Sequence, residues 1–146
     1  MNGLSEIMQE YNRQWQKCSA LYKQWAEGMG VTYHELLALT TLAGAEACTP
    51  KMIAEQWSLP KQTVHSVLRS FMKRGWVVLA ALREDGRGRR ILLTEEGNGA
   101  LVRIIGALDR RERAVLRRFG EENARRLIAL TELFNRCFAE EDNGEN

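Results

Sequence analysis

Prolines number two and histidines two in this 146-residue chain, and the three cysteines are odd in number. The scarcity of proline removes the main interior helix breaker. His34 and His65 are the only imidazoles, and neither has a cysteine at metal-ligand spacing. Cys18, Cys48 and Cys137 are widely spaced, with no C-x-x-C pair, so the expectation is reduced thiols packed as small apolar side chains and no bound metal. No apolar run approaches the roughly 20 residues that span a bilayer. The opening MNGLSEIMQEYNRQW lacks the basic and apolar regions of a secretion signal, so the expected location is the cytoplasm. Nor is there a nucleophile–base arrangement, a phosphate loop or a cofactor motif, so neither an enzyme nor a cofactor is expected. What remains is 45% apolar and 27% charged, the balance of an ordinary globular domain.

The long patterns have helical period. Ile7, Tyr11, Trp15, Cys18, Leu21, Tyr22 and Trp25 recur at intervals of three and four, predicting a helix from Ser5 to Glu27 that ends at Gly28 and Gly30. Thr32 and Glu35 read as a capping box opening an apolar second helix, which fades at Gly44. Thr49-Pro50 predicts an N-cap followed by proline in the first turn. Pro60 suits the first turn of a further helix that runs to Arg74 and stops at Gly75. Two short helices joined by a tight turn form a helix-turn-helix candidate. The period then changes. Trp76–Ala80 and Ile91–Leu93 are strand-like runs around a glycine-bent tip, a β-hairpin. Thr94 caps a long helix, and helical pattern resumes from Glu121 to Glu140 with Leu127, Leu130, Phe134 and Phe138 on one stripe.

Charge is unevenly placed. Between Thr49 and Thr94 nine Lys/Arg face three acids, a net +6, while the rest of the chain sums to −4 and the whole to +2. On the Pro60–Arg74 helix, Val64, Val67, Leu68 and Phe71 form one face and Gln62, His65, Ser66, Arg69 and Lys73 the other, with Lys61 at the amino end. Donors, acceptors and cations together suit base edges and phosphates in a major groove. The hairpin tip carries Arg83, Arg87, Arg89 and Arg90, like charges that repel unless a polyanion neutralises them. An arginine on such a hairpin fits a narrow minor groove, and Asp85 is the residue placed to hold Arg87 extended. The Arg110–Arg118 cluster, with acids interspersed, reads as a solvated helical face with i,i+4 pairs.

The run Ala54-x-x-Trp57-x-Leu59-Pro60-Lys61-Gln62-Thr63-Val64-x-x-Val67-Leu68-x-x-Phe71-x-x-Arg74-Gly75-Trp76-Val77 resembles the DNA-binding core of MarR-family transcriptional regulators. Asp85-Gly86-Arg87 in the wing and Leu93-Thr94-Glu95-Glu96-Gly97 after it match in order and spacing. The resemblance covers nearly the whole chain. It implies a mainly α protein, an α+β winged helix of about six helices with a two-stranded β-hairpin wing, and one domain over residues 1–146. Residues 32–97 would form the winged helix-turn-helix, and residues 1–30 and 100–141 a helical dimerisation part built from the terminal helices. The implied partner is double-stranded DNA, with the Pro60–Arg74 helix in the major groove and Arg87 in the minor. Thr63 joins the DNA-facing set by the same likeness. His65 stands where a small Ser or Thr is usual, and Pro60 where a hydroxyl cap is common.

Trp15, Trp25 and the Leu127–Phe138 stripe exceed the apolar surface that one small core needs, which independently predicts a homodimer. The resemblance implies modulation by a small aromatic or anionic ligand, for which Tyr11, Trp15, Tyr22 and Tyr33 are candidate pocket residues, although their spacing fits core packing better. Peroxide-sensing members carry a thiol nearer the start of the first helix, where this chain has Met8 and Gln9. The expected function is that of a DNA-binding repressor. The alternatives are a winged-helix module for protein contact and a redox-responsive regulator using Cys18 and Cys137.

Overall fold

The computed structural model describes residues 3–81 and 88–141. Six helices and one hairpin run in the order α1 (Gly3–Gly28), α2 (Tyr33–Gly44), α3 (Pro50–Trp57), α4 (Lys61–Lys73), β1 (Val77–Ala81), β2 (Arg89–Leu93), α5 (Glu95–Phe119) and α6 (Glu121–Glu141). The chain divides into two compact units, Met1–Ile105 and Gly106–Asn146, with the boundary inside α5. No helix among the described residues is long and apolar enough to cross a membrane.

In the first unit the core gathers around α2 and α4. The capping box is present as expected: Thr32 Oγ1 accepts from the Glu35 amide at 3.1 Å, and Glu35 Oε1 accepts from the Thr32 amide at 2.8 Å. Leu36, Ala38, Leu39, Thr41 and Leu42 are buried, so α2 is covered on most of its circumference. Thr49 caps α3 by accepting from the Met52 amide at 3.2 Å, with Pro50 at the start of the helix. Ser58 leaves α3 in the left-handed conformation, φ 51°, making the tight turn into α4.

Pro60 departs from the expectation. It is the N-cap and not part of the first turn, with φ −58° and ψ 145° and no side-chain cap bond. Its carbonyl instead accepts from the Thr63 and Val64 amides. Val64, Val67, Leu68 and Phe71 are the buried residues of α4, as their spacing predicts. The helix ends in a Schellman arrangement: the Gly75 amide donates to Met72 O and the Trp76 amide to Phe71 O. Gly75 takes φ 73°, and the Phe71 and Trp76 rings lie 5.5 Å apart to complete the motif.

The strands pair antiparallel from Val77↔Leu93 to Ala81↔Arg89. A third element joins them, because the Ile91 amide donates to Cys48 O at 2.8 Å in an isolated bridge just ahead of α3. The wing is thereby tied to the start of the helix-turn-helix. Thr94 ties its other end: the Thr94 amide donates to Trp76 O, and Thr94 Oγ1 accepts from Gly97 at the start of α5. Gly97 is obligatory there, since a Cβ would sit 1.9 Å from Trp76 O.

Core packing of Tyr11 and Trp15 and of all three thiols does not hold within one chain. Only Ala26 of α1 is buried, while Tyr11 and Trp15 are 43% and 64% exposed. Cys48 is buried, whereas Cys18 and Cys137 are exposed. In the second unit no residue of α6 is buried. Gly120, at φ 96°, separates α5 from α6. Of the i,i+4 pairs expected in the Arg110–Arg118 cluster, Arg113–Asp109 is present at 2.8 Å, and α6 adds Arg125–Glu121 at 2.7 Å and Arg126–Glu122 at 2.9 Å.

Candidate nucleic-acid interface

Burying Val64, Val67, Leu68 and Phe71 forces the remaining residues of α4 outward. Lys61, Gln62, His65, Ser66, Arg69 and Lys73 are all exposed, and Thr63 is half-buried. The helical period divides this face in two. Gln62, Ser66, Arg69 and Lys73 recur at intervals of four, three and four and form one column along the helix. Lys61 and His65 lie to one side of that column, one turn apart.

Their side opens on a cleft of about 650 Å³ between α3, α4 and the base of the wing. Lys61, Val64 and His65 line it from α4, and Thr49, Pro50, Lys51 and Ala54 from α3. Gly88 and Arg89 close the third side. The cysteine bridge explains the proximity, because Ile91 of β2 is hydrogen-bonded to the residue just before Thr49. Lys51, Lys61 and Arg89 thus come from three elements to one place, and among the described residues no acid lines it. Glu55 lies 3.7 Å from the Lys51 ammonium, both side chains being largely exposed. Sequence reasoning counted Lys51 as charge but did not place it in the site, because its approach to α4 is set by the turn at Ser58.

Of the four arginines assigned to the wing tip, Arg89 and Arg90 lie in strand β2, exposed and paired with Ala81 and Ala80. Two residues of the hairpin that were expected in a loop are therefore fixed by ladder bonds. Arg89 Nη1 also donates to Gly88 O at 3.1 Å. Arg83, Asp85 and Arg87 lie outside the described residues. The candidate ligand-pocket aromatics do not line the cleft: Tyr11 and Trp15 are exposed on α1, and Tyr22 and Tyr33 are half-buried.

Behind the exposed face, α4 is held by polar contacts that the sequence did not reveal. Glu35 is only 3% exposed. Besides its cap role, its Oε2 accepts from Ser70 Oγ at 2.8 Å, and Arg74 approaches its Oε1 at 3.8 Å. The Arg74 guanidinium in turn lies 4.6 Å from the Trp76 ring centre, a cation–π distance. Thr41 does the same for α3: its hydroxyl accepts from Trp57 Nε1 at 2.8 Å and lies 2.8 Å from Gln56 Oε1. The capping box was the available signal for Glu35; its reach to Ser70, thirty-five positions on, was not.

Comparison with known proteins agrees with this geometry. The MarR family matches residues 29–88, the segment from just after α1 to the residue before β2. An organic hydroperoxide resistance transcriptional regulator from Bacillus subtilis is 33% identical over 76 residues, 52% of this chain and 52% of the relative, so the match spans about half of that protein. Over the whole chain, a MarR family regulator from Neisseria meningitidis is 28% identical with a TM-score of 0.72, covering 97% of this chain and 99% of that one. A Staphylococcus aureus MarR solved with salicylate and kanamycin shares the fold at 16% identity and a TM-score of 0.72, covering 94% and 93%. Residues 29–88 thus match the MarR family, and the whole chain, six helices with a two-stranded hairpin, shares its fold with a winged-helix regulator of that family.

Proposed function

We propose that this regulator binds duplex DNA sequence-specifically as a homodimer, on a pseudo-palindromic operator, and acts as a repressor in the cytoplasm. The observation that carries the reading is the division of α4 into a buried apolar stripe and an exposed Gln62–Ser66–Arg69–Lys73 column beside a cationic wing base. A column of mixed polar and cationic side chains on a rigid helix supports base-edge readout, and the wing arginines Arg83, Arg87, Arg89 and Arg90 support backbone and minor-groove contact. Asp85 keeps its proposed role as the residue that orients Arg87. Exposed apolar side chains on α1 (Leu4, Ile7, Tyr11, Trp15) and on α6 (Leu127, Leu130, Phe134, Phe138) support dimerisation, since a surface of that kind is normally covered. Two copies would present their α4 helices roughly 34 Å apart, one turn of DNA.

Selection of bound fragments from random duplex DNA tests the reading. Enrichment of a pseudo-palindrome is the expected result. Absence of any enrichment, with capture of an acidic protein by the same face, would transfer the site to protein contact.

The Staphylococcus aureus protein was solved with salicylate, which supports modulation of this chain by a small aromatic anion. The Bacillus subtilis relative is named for organic hydroperoxide resistance, and Cys18 and Cys137 are both exposed, which supports a redox-responsive reading beside it. Operator affinity measured before and after organic hydroperoxide, in the wild type and in a C18S/C137S variant, separates the two. Loss of binding in the wild type alone selects the thiols.

A further inference from the structure

His65 does not stand in the outward column of α4. It lines the cleft, together with Lys61 one turn before it. Cations reach this cleft from three elements: Lys51 of α3, Lys61 of α4 and Arg89 of β2. Between them the wall is apolar, formed by Pro50, Ala54 and Val64. Positive charge at the rim and aliphatic carbon on the wall match one phosphate with its deoxyribose better than the edge of a base.

We propose that the cleft seats one sugar–phosphate unit of the DNA backbone, with His65 binding the phosphate as imidazolium alongside Lys51, Lys61 and Arg89, so that DNA binding takes up a proton. This rests on the duplex-DNA reading above. Imidazole is the side chain whose ordinary titration falls between pH 5 and 8. A phosphate oxygen against the ring favours its charged form, so the complex holds more protons than the separate partners. By linkage, affinity rises as pH falls through that range. Among the described residues, the charged groups about the ring are Lys51 from α3, Lys61 and Arg69 from α4, and Arg89 from β2, with Glu55 beside Lys51. Lysine, arginine and glutamate ordinarily keep their charge between pH 6 and 8. The proton is therefore assigned to His65. His34, the other histidine, is exposed at the start of α2 and does not line the cleft, which makes it the control.

The test is fluorescence anisotropy at constant ionic strength between pH 8 and pH 6. The probe is a fluorescein-labelled duplex enriched from a random pool, or a mixed-sequence duplex at low salt where enrichment yields none. The wild type and the H34Q variant should tighten on acidification, approaching tenfold per pH unit for one proton. H65Q, a surface change whose fold is checked by circular dichroism, should bind with a flat pH response. K51Q, which removes one of the cations sharing that phosphate, should weaken binding at every pH. Tight but pH-independent binding by the wild type overturns the proposal and leaves the DNA reading standing. So does an H65Q variant that keeps the wild-type pH slope, or a K51Q variant that binds as tightly as the wild type. Failure to bind duplex DNA at any pH overturns the DNA reading itself, and this inference with it.

Discussion

Glu35 shows how much one side chain decides in this fold. Its carboxylate accepts from the Thr32 amide and the Ser70 hydroxyl while almost inaccessible to water, so it joins the start of α2 to the last turns of α4. Truncation to Ala leaves the half-buried Ser70 hydroxyl without this acceptor and removes one half of the capping box at the exposed Thr32. The expected loss is about 1–2 kcal/mol, read by urea unfolding. Cys48 offers a second measurement at this scale. Burial pushes its thiol above the ordinary value. Less thiolate at a given pH means slower alkylation, so native Cys48 should be labelled only when the protein unfolds. The sign for stability follows from the same shift. The unfolded chain sheds this proton first as pH rises, so the folded state gains from the shift below the thiol range and loses that gain above it. A Cys48→Ala variant should therefore lose less stability between pH 8 and pH 10 than the wild type; an equal loss would assign the alkaline decline to other groups.

Among the elements, the wing is fixed by its two roots and not by its own strands alone. A two-stranded hairpin is marginal in water, and here one root is the Cys48–Ile91 bridge and the other the contacts among Thr94, Gly97 and Trp76. Gly97→Ala would drive a Cβ into the Trp76 carbonyl group, which is backbone and cannot turn aside. The expected cost is on the order of 3–5 kcal/mol, with the wing and the start of α5 displaced together. Thermal unfolding checks the first effect, and loss of duplex binding in the fraction still folded checks the second. On α4 itself, Arg69→Ala removes a cation from the middle of the exposed column and leaves the buried stripe intact. Operator affinity should fall by an amount worth about 1–3 kcal/mol if Arg69 pairs with a base, and the loss should vanish on unrelated sequences. An equal loss on every sequence would make it a phosphate contact.

At the scale of the whole molecule, the exposed apolar side chains of α1 and α6 set the expectation of association. Leu130 and Phe138 are 64% and 69% exposed, and no residue of α6 is buried in a single copy. A helix without a buried face has little to hold it but a partner. Melting temperature should therefore rise with protein concentration, as it does whenever subunits bind only in the folded state. Leu130→Glu should yield a monomer by sedimentation and weaken operator binding while leaving the first unit folded. A concentration-independent melt with monomer mass in the wild type would remove the dimer from the proposal.

Local signals were legible in the chain itself, because they act over one helical turn or one strand step. Thr32 and Glu35, Thr49 and Pro50, and the four apolar residues of α4 each specify their conformation through neighbours three or four positions away. The charge excess between Thr49 and Thr94 and the order of motifs around it pointed to the winged helix by the same short-range logic. Periodicity along α1 reports an apolar face without saying what covers it, and in a single chain Tyr11 and Trp15 of that face stay exposed. Only tertiary structure could turn His65 and Lys61 into a cleft with Lys51 and Arg89, since those four residues are carried by three elements. The approach of those elements depends on the left-handed turn at Ser58 and a backbone bond from Ile91 to Cys48, distant in sequence and invisible to any local pattern.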